Sequence, residues 1–201
     1  AAVVAGMFDF LIISDTKGSV SFNAPFVIGD SAAGKSAFVA KSGLAALTGN
    51  GDGDCIAKAK LLLSYLPMNN QEGTLTVSAR DDLNRLVDLS GYTSTENAED
   101  LIGAISDNGS FLELYAAYGK EIVTGLITLG GTVVGVVANQ KCVNDGILTA
   151  AAARKASRMV TFCDSFHIPV VTLLNSKGPD VSIEAEASTY ASELAKLAFA
   201  Y

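Results

Sequence analysis

The segment from Gly29 to Ser36, GDSAAGKS, has the most recognisable chemistry of the chain. This spacing is that of a phosphate-binding loop, in which backbone N–H groups surround the phosphates and the lysine and serine meet the terminal phosphate and Mg²⁺. Such a site also needs an acidic residue at the end of a later strand to hold the metal. The later apolar runs TVVGVVAN and PVVTLLN both end on asparagine. The sequence therefore favours a helix start built from small residues, with a nucleotide site as the alternative.

A second group of residues imitates a calcium-binding loop. Asn50, Asp52 and Asp54 have the spacing of its first three ligands. Cys55 stands where the loop requires glycine, and Leu61 stands where it requires a bidentate glutamate. The oxygen shell cannot close, so residues 48–54 are predicted to be a solvated loop. The cysteines also lack metal-ligand spacing, and no metal site is predicted.

His167 is the only histidine of the chain. A nucleophilic triad or a two-histidine metal site would have to depend on this residue or on groups from elsewhere. It stands at a turn between a predicted helix and a predicted strand. A turn-stabilising role is favoured over catalysis, because polar groups in turns commonly hydrogen-bond nearby backbone.

Polar residues also follow the ends of two apolar runs. Asn139 and Gln140 end the first run, and Asn175 to Gly178 follow the second. The ends of strands are the place where α/β folds commonly present ligand-binding groups. These residues are therefore candidates for binding a ligand.

The basic residues are few, and three of them are predicted to share one helix face. The chain has 14 basic and 21 acidic residues and a formal charge of −7, which argues against nucleic acid as a partner. Arg154, Lys155 and Arg158 are predicted to lie opposite an apolar helix face. They are interpreted as an exposed charged face, with a contact to ligand phosphates as the alternative.

The elements that must position these residues follow from hydrophobic periodicity. The charge-free stretch 122–140 is predicted to be a strand hairpin turning at Gly130 and Gly131, since it is rich in β-branched residues. A helix-period pattern then leads through one turn into the short apolar run at residues 169–175. The other predicted elements are a strand pair over 9–14 and 19–22, helices over 31–40, 55–66, 81–89, 97–105 and 182–200, and an irregular segment over 69–80.

Composition limits the class of protein. With 201 residues and 49% hydrophobic content, the chain can bury a core. An odd count of three cysteines and the lack of a signal peptide predict a reducing cytoplasm. Because the chain has no initiator methionine, it is expected to be part of a longer polypeptide.

The order of hairpin, helix and buried strand resembles the carboxyltransferase family of biotin-dependent acyl-CoA carboxylases and decarboxylases. That family carries G-x-x-V-G-x-V-A-N-Q and then K-A-x-R-x-V-x-F-C-D-x-F-x-I-P, and residues 66–72, LPMNNQE, resemble its L-P-x-N-N-x-E. His167 replaces the usual asparagine, and NSKGPDVS replaces a loop rich in proline and glycine, which leaves the acyl substrate and the reaction direction open. The residues in register are Lys155, Ala156, Arg158, Val160, Phe162, Cys163, Asp164, Phe166, Ile168 and Pro169.

The resemblance implies an α/β fold of the crotonase-like (ClpP/crotonase) ββα spiral type, with parts of two half-domains. Residues 1–66 are expected to be the C-terminal part of the first half-domain. Residues 67–110 are then a connecting segment, and residues 111–201 are the N-terminal part of the second half-domain.

The resemblance also implies a function. The chain is expected to belong to an enzyme that moves a carboxyl group between biotin and an acyl-CoA, as a carboxylase or a decarboxylase component. The substrate-binding candidates are Asn139, Gln140, Asn175, Gly178 and Arg158, with Arg158 near the phosphates of coenzyme A. The family's oxyanion-stabilising glycine turns are expected to lie largely outside the chain, with Ala1 and Ala2 at the edge of the first. The 201 residues alone are therefore expected not to catalyse transfer.

The implied cofactor is biotin on a partner protein, and the implied substrate is a coenzyme A thioester. The implied partners are a biotin carboxyl carrier protein, biotin carboxylase or decarboxylase subunits, and further copies of the chain in a homo-oligomer, without direct membrane insertion. Two other functions remain as alternatives, a P-loop nucleotide-binding protein and a non-catalytic crotonase-like assembly module.

Overall fold

The computed structural model describes residues 2–79 and 81–201, which divide into two units. The first unit comprises residues 2–64 with 115–118, and the second comprises residues 65–79, 81–114 and 119–201. None of the helices in the described ranges combines the length and the apolar character needed to span a bilayer.

The first unit is built around a short parallel strand pair. Its core contains Ile13, Val39 and Ala45. Strand β1 pairs in parallel with β2, with Ile12 opposite Leu47. The elements in chain order are α1 (Ala2–Ala5), β1 (Ile12–Ser14), α2 (Pro25–Ile28), α3 (Ser36–Lys41), β2 (Leu47–Gly49) and α4 (Gly51–Leu63).

Three predictions for this unit were wrong. The helix predicted over residues 31–40 begins only at Ser36. Residues 19–22 do not form a strand beside β1 but contribute only an isolated bridge between Ser19 and Lys35. Residues 48–54 are not a loop, because they contain the end of β2 and the first turn of α4. Asp52 and Asp54 lie in that first turn, where the positive end of the helix dipole favours carboxylates, and Asp54 accepts a hydrogen bond from the Asn50 N–H at 2.8 Å.

The second unit contains a four-stranded sheet in the order β3-β4-β5-β6. Strands β3, β4 and β5 pair antiparallel, and β5 and β6 pair in parallel, so α7 connects them as a crossover. The elements are α5 (Ser90–Thr95), α6 (Ala98–Ile105), β3 (Leu112–Leu114), β4 (Ile122–Leu129), β5 (Thr132–Asn139), a 3-10 turn (Asn144–Gly146), α7 (Ala150–Ser165), β6 (Val170–Leu173), α8 (Ile183–Glu186) and α9 (Tyr190–Ala200).

The predicted hairpin, helix and following strand are confirmed, but β6 is the edge strand of the sheet and none of its four residues is fully buried. Both faces of the sheet are covered. On one face, Ile102 of α6 packs with Ile127 and Val136 of the hairpin. On the other face, α7 passes close to β5 at Gly135, where a Cβ atom would lie 2.5 Å from the sulfur of Cys163. The lack of a side chain at Gly135 therefore sets the distance between helix and sheet.

Two predicted helices of this unit differ from the structure. Residues 81–89 are not helical, because the side chains of Asp82 and Asp88 accept hydrogen bonds from the N–H groups of Asn84 and Ser90, which compete with helix formation. The next helix begins only at Ser90. The C-terminal helix predicted over residues 182–200 is divided into α8 and α9, with residues 187–189 between them.

The turn of the hairpin is anchored by a buried carboxylate. Asp107 is 5% exposed and accepts hydrogen bonds from the N–H groups of Gly130 at 2.9 Å and Gly131 at 2.8 Å. Burial alone would raise the pKa of Asp107, but these two hydrogen bonds help to outweigh it and lower the pKa. Asp107 therefore supplies a charge where two turn amides need an acceptor.

We expect Asp107→Ala to lower the free energy of unfolding by about 2 kcal/mol, because it leaves two turn N–H groups without their acceptor. Since the folded-state pKa is lowered, this stabilisation is present above the ordinary value of 3.8 and is lost as the pH falls below it. Urea unfolding between pH 3 and pH 7 measures both effects. Asp164→Ala, an exposed aspartate of α7, is the control, and an equal loss in both variants would contradict the anchoring role.

Candidate functional site

The carboxyl ends of the parallel strands β5 and β6 border a cavity lined by both apolar and polar side chains, named the polar cavity for its two asparagines. The cavity has a volume of about 210 Å³. Asn139 is the last residue of β5, and Asn175 lies two residues beyond the end of β6. Both line the cavity, as do Tyr92, Ala98, Thr172 and Leu174. The structure therefore brings together two of the residues that the sequence selected.

Both asparagine side chains are held by hydrogen bonds. The amide nitrogen of Asn139, which is 7% exposed, donates to the carbonyl oxygen of Gly146 at 3.1 Å. The amide nitrogen of Asn175 donates to the hydroxyl oxygen of Tyr92 at 2.5 Å. Each bond joins one asparagine side chain to a different element of the fold. The two neutral amide groups are therefore held in fixed orientations at the cavity.

Gln140 lies beside the cavity with its side chain engaged by α6. Its carbonyl oxygen accepts from the N–H of Ala98 at 2.6 Å, and its amide nitrogen donates to the side-chain oxygen of Asn97 at 2.8 Å. Asn97 also caps α6 by accepting from the N–H of Glu99 at 3.0 Å. Gln140 therefore holds the start of α6 beside the cavity.

The connection from β5 to α7 contains a left-handed turn. Asn144, Asp145 and Gly146 have φ angles of 48°, 54° and 63°. The carbonyl oxygen of Gly146 accepts from Asn139 and also from the hydroxyl of Ser176 at 2.6 Å. A Cβ atom at Gly146 would lie 2.7 Å from the carbonyl oxygen of Asn175. This glycine therefore joins the loops that follow β5 and β6, in a conformation that costs energy for other residues.

Further bonds connect the same two loops. The carbonyl oxygen of Asp145 accepts from the N–H of Lys177 at 3.1 Å, and the side chains of these residues form an ion pair at 3.1 Å. The Lys177 partner lowers the pKa of Asp145. Gly178 donates its N–H to the hydroxyl of Ser176 at 3.0 Å, and its carbonyl oxygen accepts from the N–H of Leu148 at 3.0 Å. Gly178 thus shapes the loop that carries Asn175.

A second, apolar cavity lies on the face of the sheet that α7 covers. It has a volume of about 80 Å³ and shares Asn139, Thr172 and Leu174 with the polar cavity. Leu148, Ala156 and Leu197 contribute to its lining. Arg158 lines neither cavity, because it lies two residues beyond Ala156 and so faces another side of α7.

The predicted exposed charged face of α7 is wrong for Lys155. Lys155 is 2% exposed, and its ammonium group donates to the carbonyl oxygen of Ile122 at 2.8 Å. Burial lowers its pKa from 10.5 to about 8, although three nearby glutamates, Glu113, Glu121 and Glu99, act in the opposite direction. Arg154 forms an ion pair with Glu193 at 3.1 Å. The lysine was predicted to lie opposite the apolar face, but it is three residues after Ala152 and four before Met159, both buried, so it shares their side of α7.

The remaining sequence candidates lie outside these cavities. Residues 26–28, which a phosphate-binding loop would need as a strand, belong to helix α2, and the helix after Lys35 has only six residues. His167 occupies the predicted turn with a left-handed φ of 53°, a conformation that histidine and asparagine tolerate better than most residues. Ala2 begins α1 in the first unit, and Ala1 lies outside the described residues.

Sequence reasoning missed Tyr92 and Gly146. The Asp145-Gly146 pair is a turn signal that could have been used to place the tight connection after β5. Tyr92 gave no such signal, because it belongs to helix α5, which lies between the two predicted helices in residues for which no element was predicted.

Comparison with known proteins identifies relatives. Residues 27–201 match the family described as the carboxyl transferase domain. The propionyl-CoA carboxylase beta chain of Roseobacter denitrificans is 35% identical over 167 residues, which are 80% of this chain and 33% of the relative. The methylmalonyl-CoA carboxyltransferase 12S subunit of Propionibacterium freudenreichii subsp. shermanii is 32% identical, and the match covers 100% of this chain and 41% of the length of that subunit. The chain thus spans between a third and about two fifths of these relatives.

Solved structures show the same similarity. A crystal structure of transcarboxylase 12S, described as a hexamer assembly with hydrolysed methylmalonyl-coenzyme A bound, superposes with a TM-score of 0.89 at 32% identity. The match covers 100% of this chain and 41% of that chain. The predicted α/β crotonase-like fold is confirmed.

We expect Gly146→Ala to destabilise the fold more than Gly109→Ala. Both glycines have a positive φ, 63° and 68°, but a Cβ atom at Gly109 meets nothing within 4 Å. The contact with Asn175 should therefore cost Gly146→Ala about 1–2 kcal/mol beyond the shared backbone strain. Urea unfolding of both variants measures the difference, and equal losses would show that the loop accommodates the methyl group.

We expect Lys155→Met to change how stability depends on alkaline pH. Lys155 loses its proton near pH 8 when folded and near 10.5 when unfolded, so between these values the unfolded state binds more protons. This group alone therefore makes stability rise with pH across that interval, by at most about 3 kcal/mol.

Chemical unfolding at pH 7.5, 8.5 and 9.5 tests this expectation. The free energy of unfolding of the unmodified chain should increase relative to that of Lys155→Met as the pH rises. Lys120→Met controls for the loss of a lysine charge at an exposed position. A difference that stays constant with pH argues against a buried ammonium at Lys155.

Proposed function

Because the chain belongs to the carboxyl transferase domain family, we propose that it takes part in moving a carboxyl group between biotin and an acyl-CoA. The named relatives act as propionyl-CoA carboxylase and methylmalonyl-CoA carboxyltransferase components, and another is a methylmalonyl-CoA decarboxylase subunit. Each of these relatives is named for an acyl-CoA and for the gain, loss or transfer of a carboxyl group. The same chemistry is proposed for this chain.

The observation that carries the proposal is the pair of fixed asparagines at the ends of β5 and β6. Asn139 and Asn175 present amide groups at one cavity, and each is oriented by a hydrogen bond from a different element. Transfer of a carboxyl group to or from a thioester develops negative charge on the thioester oxygen. Neutral donors that are already oriented can stabilise such charge by several kcal/mol in a dry site, without a titrating group.

The other candidate residues have separate roles in this proposal. Gln140 positions α6 against the cavity, and Gly178 shapes the loop that carries Asn175. Arg158 lies away from the acyl group and is proposed to meet the phosphates of coenzyme A, for which its guanidinium group is suited. Reversing its charge in Arg158→Glu should weaken binding of coenzyme A esters.

Biotin would supply the carboxyl group when a carrier protein brings it to the site. Amide donors such as Asn139 and Asn175 suit the oxygen of its neutral ureido group as well as a thioester oxygen. We propose that the chain forms a cytoplasmic homo-oligomer and that its partners are a biotin carboxyl carrier protein and biotin carboxylase or decarboxylase subunits.

The proposed boundaries are 1–66 and 111–201 for the two half-domain parts, with 67–110 connecting them.

We expect Asn175→Ala to weaken the binding of propionyl-CoA about tenfold, because one oriented amide is lost from the cavity. Calorimetric titration of the protein in its natural assembly measures the dissociation constant. Asn84→Ala, at an exposed asparagine outside the cavity, is the matched control and should bind as the unmodified protein does.

The two possible failures are distinguishable. If the unmodified protein binds no coenzyme A ester, the proposed function is wrong. If it binds propionyl-CoA and Asn175→Ala binds equally well, the function stands and the role of Asn175 is wrong.

A further inference from the structure

The phenol of Tyr92 is a polar group of the cavity to which the proposed function gives no contact with the ligand. Tyr92 lines the polar cavity, and its hydroxyl oxygen accepts a hydrogen bond from the side-chain nitrogen of Asn175 at 2.5 Å. A phenol hydroxyl can accept and donate at the same time. We propose that Tyr92 donates its hydroxyl hydrogen to a carbonyl oxygen of the bound ligand and stabilises negative charge there. The inference rests on the proposed function, because that function supplies the carbonyl oxygen.

The hydroxyl hydrogen of Tyr92 is available to a ligand. Within residues 2–79 and 81–201, the bond from Asn175 is the one hydrogen bond that this hydroxyl forms. Since the phenol oxygen is the acceptor in that bond, its own hydrogen is left to donate. Ala98, Leu101 and Leu173 also line the cavity, and their side chains offer no acceptor. A ligand carbonyl that enters the cavity can therefore accept this hydrogen.

The bond from Asn175 makes Tyr92 a stronger donor. A hydroxyl group that already accepts a hydrogen bond is polarised by it, so the hydrogen that it donates carries more positive charge. When the ligand oxygen becomes negative, part of the charge moves onto the phenol oxygen, where the amide of Asn175 stabilises it. The two side chains therefore form one chain of donors that ends at the ligand.

Helix α5 holds Tyr92 in place. The N–H of Glu96 donates to the carbonyl oxygen of Tyr92 at 2.7 Å and ends the helix. The hydroxyl of Thr95 donates to the carboxylate of Asp100 at 2.8 Å, which connects α5 to α6. Gln140 holds the start of α6 beside the cavity. The phenol is therefore positioned before a ligand binds, as an oriented donor must be if it is to stabilise developing charge.

Two ligand groups could provide the acceptor. One is the thioester carbonyl of an acyl-CoA, and the other is the ureido carbonyl of biotin. Both oxygens are uncharged acceptors at rest and become more negative as a carboxyl group is transferred. The shared chemistry is a carbonyl oxygen that gains negative charge, and labelled ligands distinguish its two sources.

Infrared spectroscopy tests the hydrogen bond directly, because a bond to a carbonyl oxygen lowers the stretching frequency of that carbonyl. Propionyl-CoA with an isotope-labelled thioester carbonyl, and biotin with an isotope-labelled ureido carbonyl, are each bound to the full chain in its natural assembly. In Tyr92→Phe, which keeps the ring and removes the hydroxyl, we expect the labelled band of one ligand to move to higher frequency.

Tyr65→Phe is the matched control. It removes a phenol hydroxyl of the same unit that donates to the carbonyl oxygen of Ser110, and Tyr65 lies outside the cavity lining. The labelled bands should therefore stay unchanged in Tyr65→Phe. A shift shared by both variants would show a general effect of losing a phenol hydroxyl and would overturn the inference.

A double-mutant cycle separates contact with the ligand from an effect through Asn175. Tyr92→Phe should lower kcat for carboxyl transfer about a hundredfold with little change in KM, because one oriented donor is lost from the transition state. If Tyr92 contacts the ligand, Tyr92→Phe also lowers kcat in the Asn175→Ala background. If Tyr92 only orients Asn175, the substitution has no effect in that background, and the inference is overturned.

The binding results separate this inference from the proposed function. If a labelled ligand binds and no band moves in Tyr92→Phe, the ligand carbonyl has another donor, and the inference fails while the proposed function stands. If neither ligand binds to the unmodified protein, both fail. A shift of the thioester band supports the inference with an acyl-CoA as the ligand of this cavity, and a shift of the ureido band supports it with biotin.

Discussion

The arrangement of the site depends on one carbonyl oxygen, that of Gly146. It accepts hydrogen bonds from Asn139 at the end of β5 and from Ser176 in the loop after β6. Parallel strands cannot be joined by a tight turn, so the loops at their carboxyl ends come from distant parts of the chain and need such cross-links. The left-handed turn at residues 144–146 places this carbonyl, and the strain of that turn is offset by the bonds it permits.

Charge is separated from the polar cavity. The cavity lining contains amides, hydroxyls and apolar groups, whereas the buried ionisable groups lie elsewhere in the unit. Lys155 satisfies the carbonyl of Ile122, and Asp107 satisfies the turn of the hairpin. These charges are used to pair backbone groups that have no strand partner, which is a structural task. A site whose donors do not titrate can keep the same hydrogen-bonding pattern over a broad range of pH.

The sequence was most informative where local pattern and tertiary packing agree. The hairpin was predictable because Gly130 and Gly131 interrupt a run of β-branched residues, and Asn139 and Asn175 followed from their places at strand ends. The helix start at Gly51 was not predictable, since glycines and aspartates are as typical of a loop as of a helix N-terminus. The burial of Lys155 was also missed, because a lysine assigned to the charged face of a helix has a side chain long enough to reach either water or a buried carbonyl. Tyr92 required knowledge of packing between α5 and the loop after β6, which no local pattern contains.

The close approach of α7 to β5 at Gly135 has a consequence for the cysteines. Cys163 of α7 is fully buried against the sheet, and burial raises the pKa of its thiol to about 12, whereas Cys142 is exposed. The thiolate is the nucleophile that attacks an alkylating reagent and displaces its leaving group, so the exposed Cys142 is modified in the folded chain while the buried, protonated Cys163 stays protected. Slow alkylation of Cys163 then reports each separation of the helix from the sheet, and its rate measures the local opening equilibrium without any introduced label.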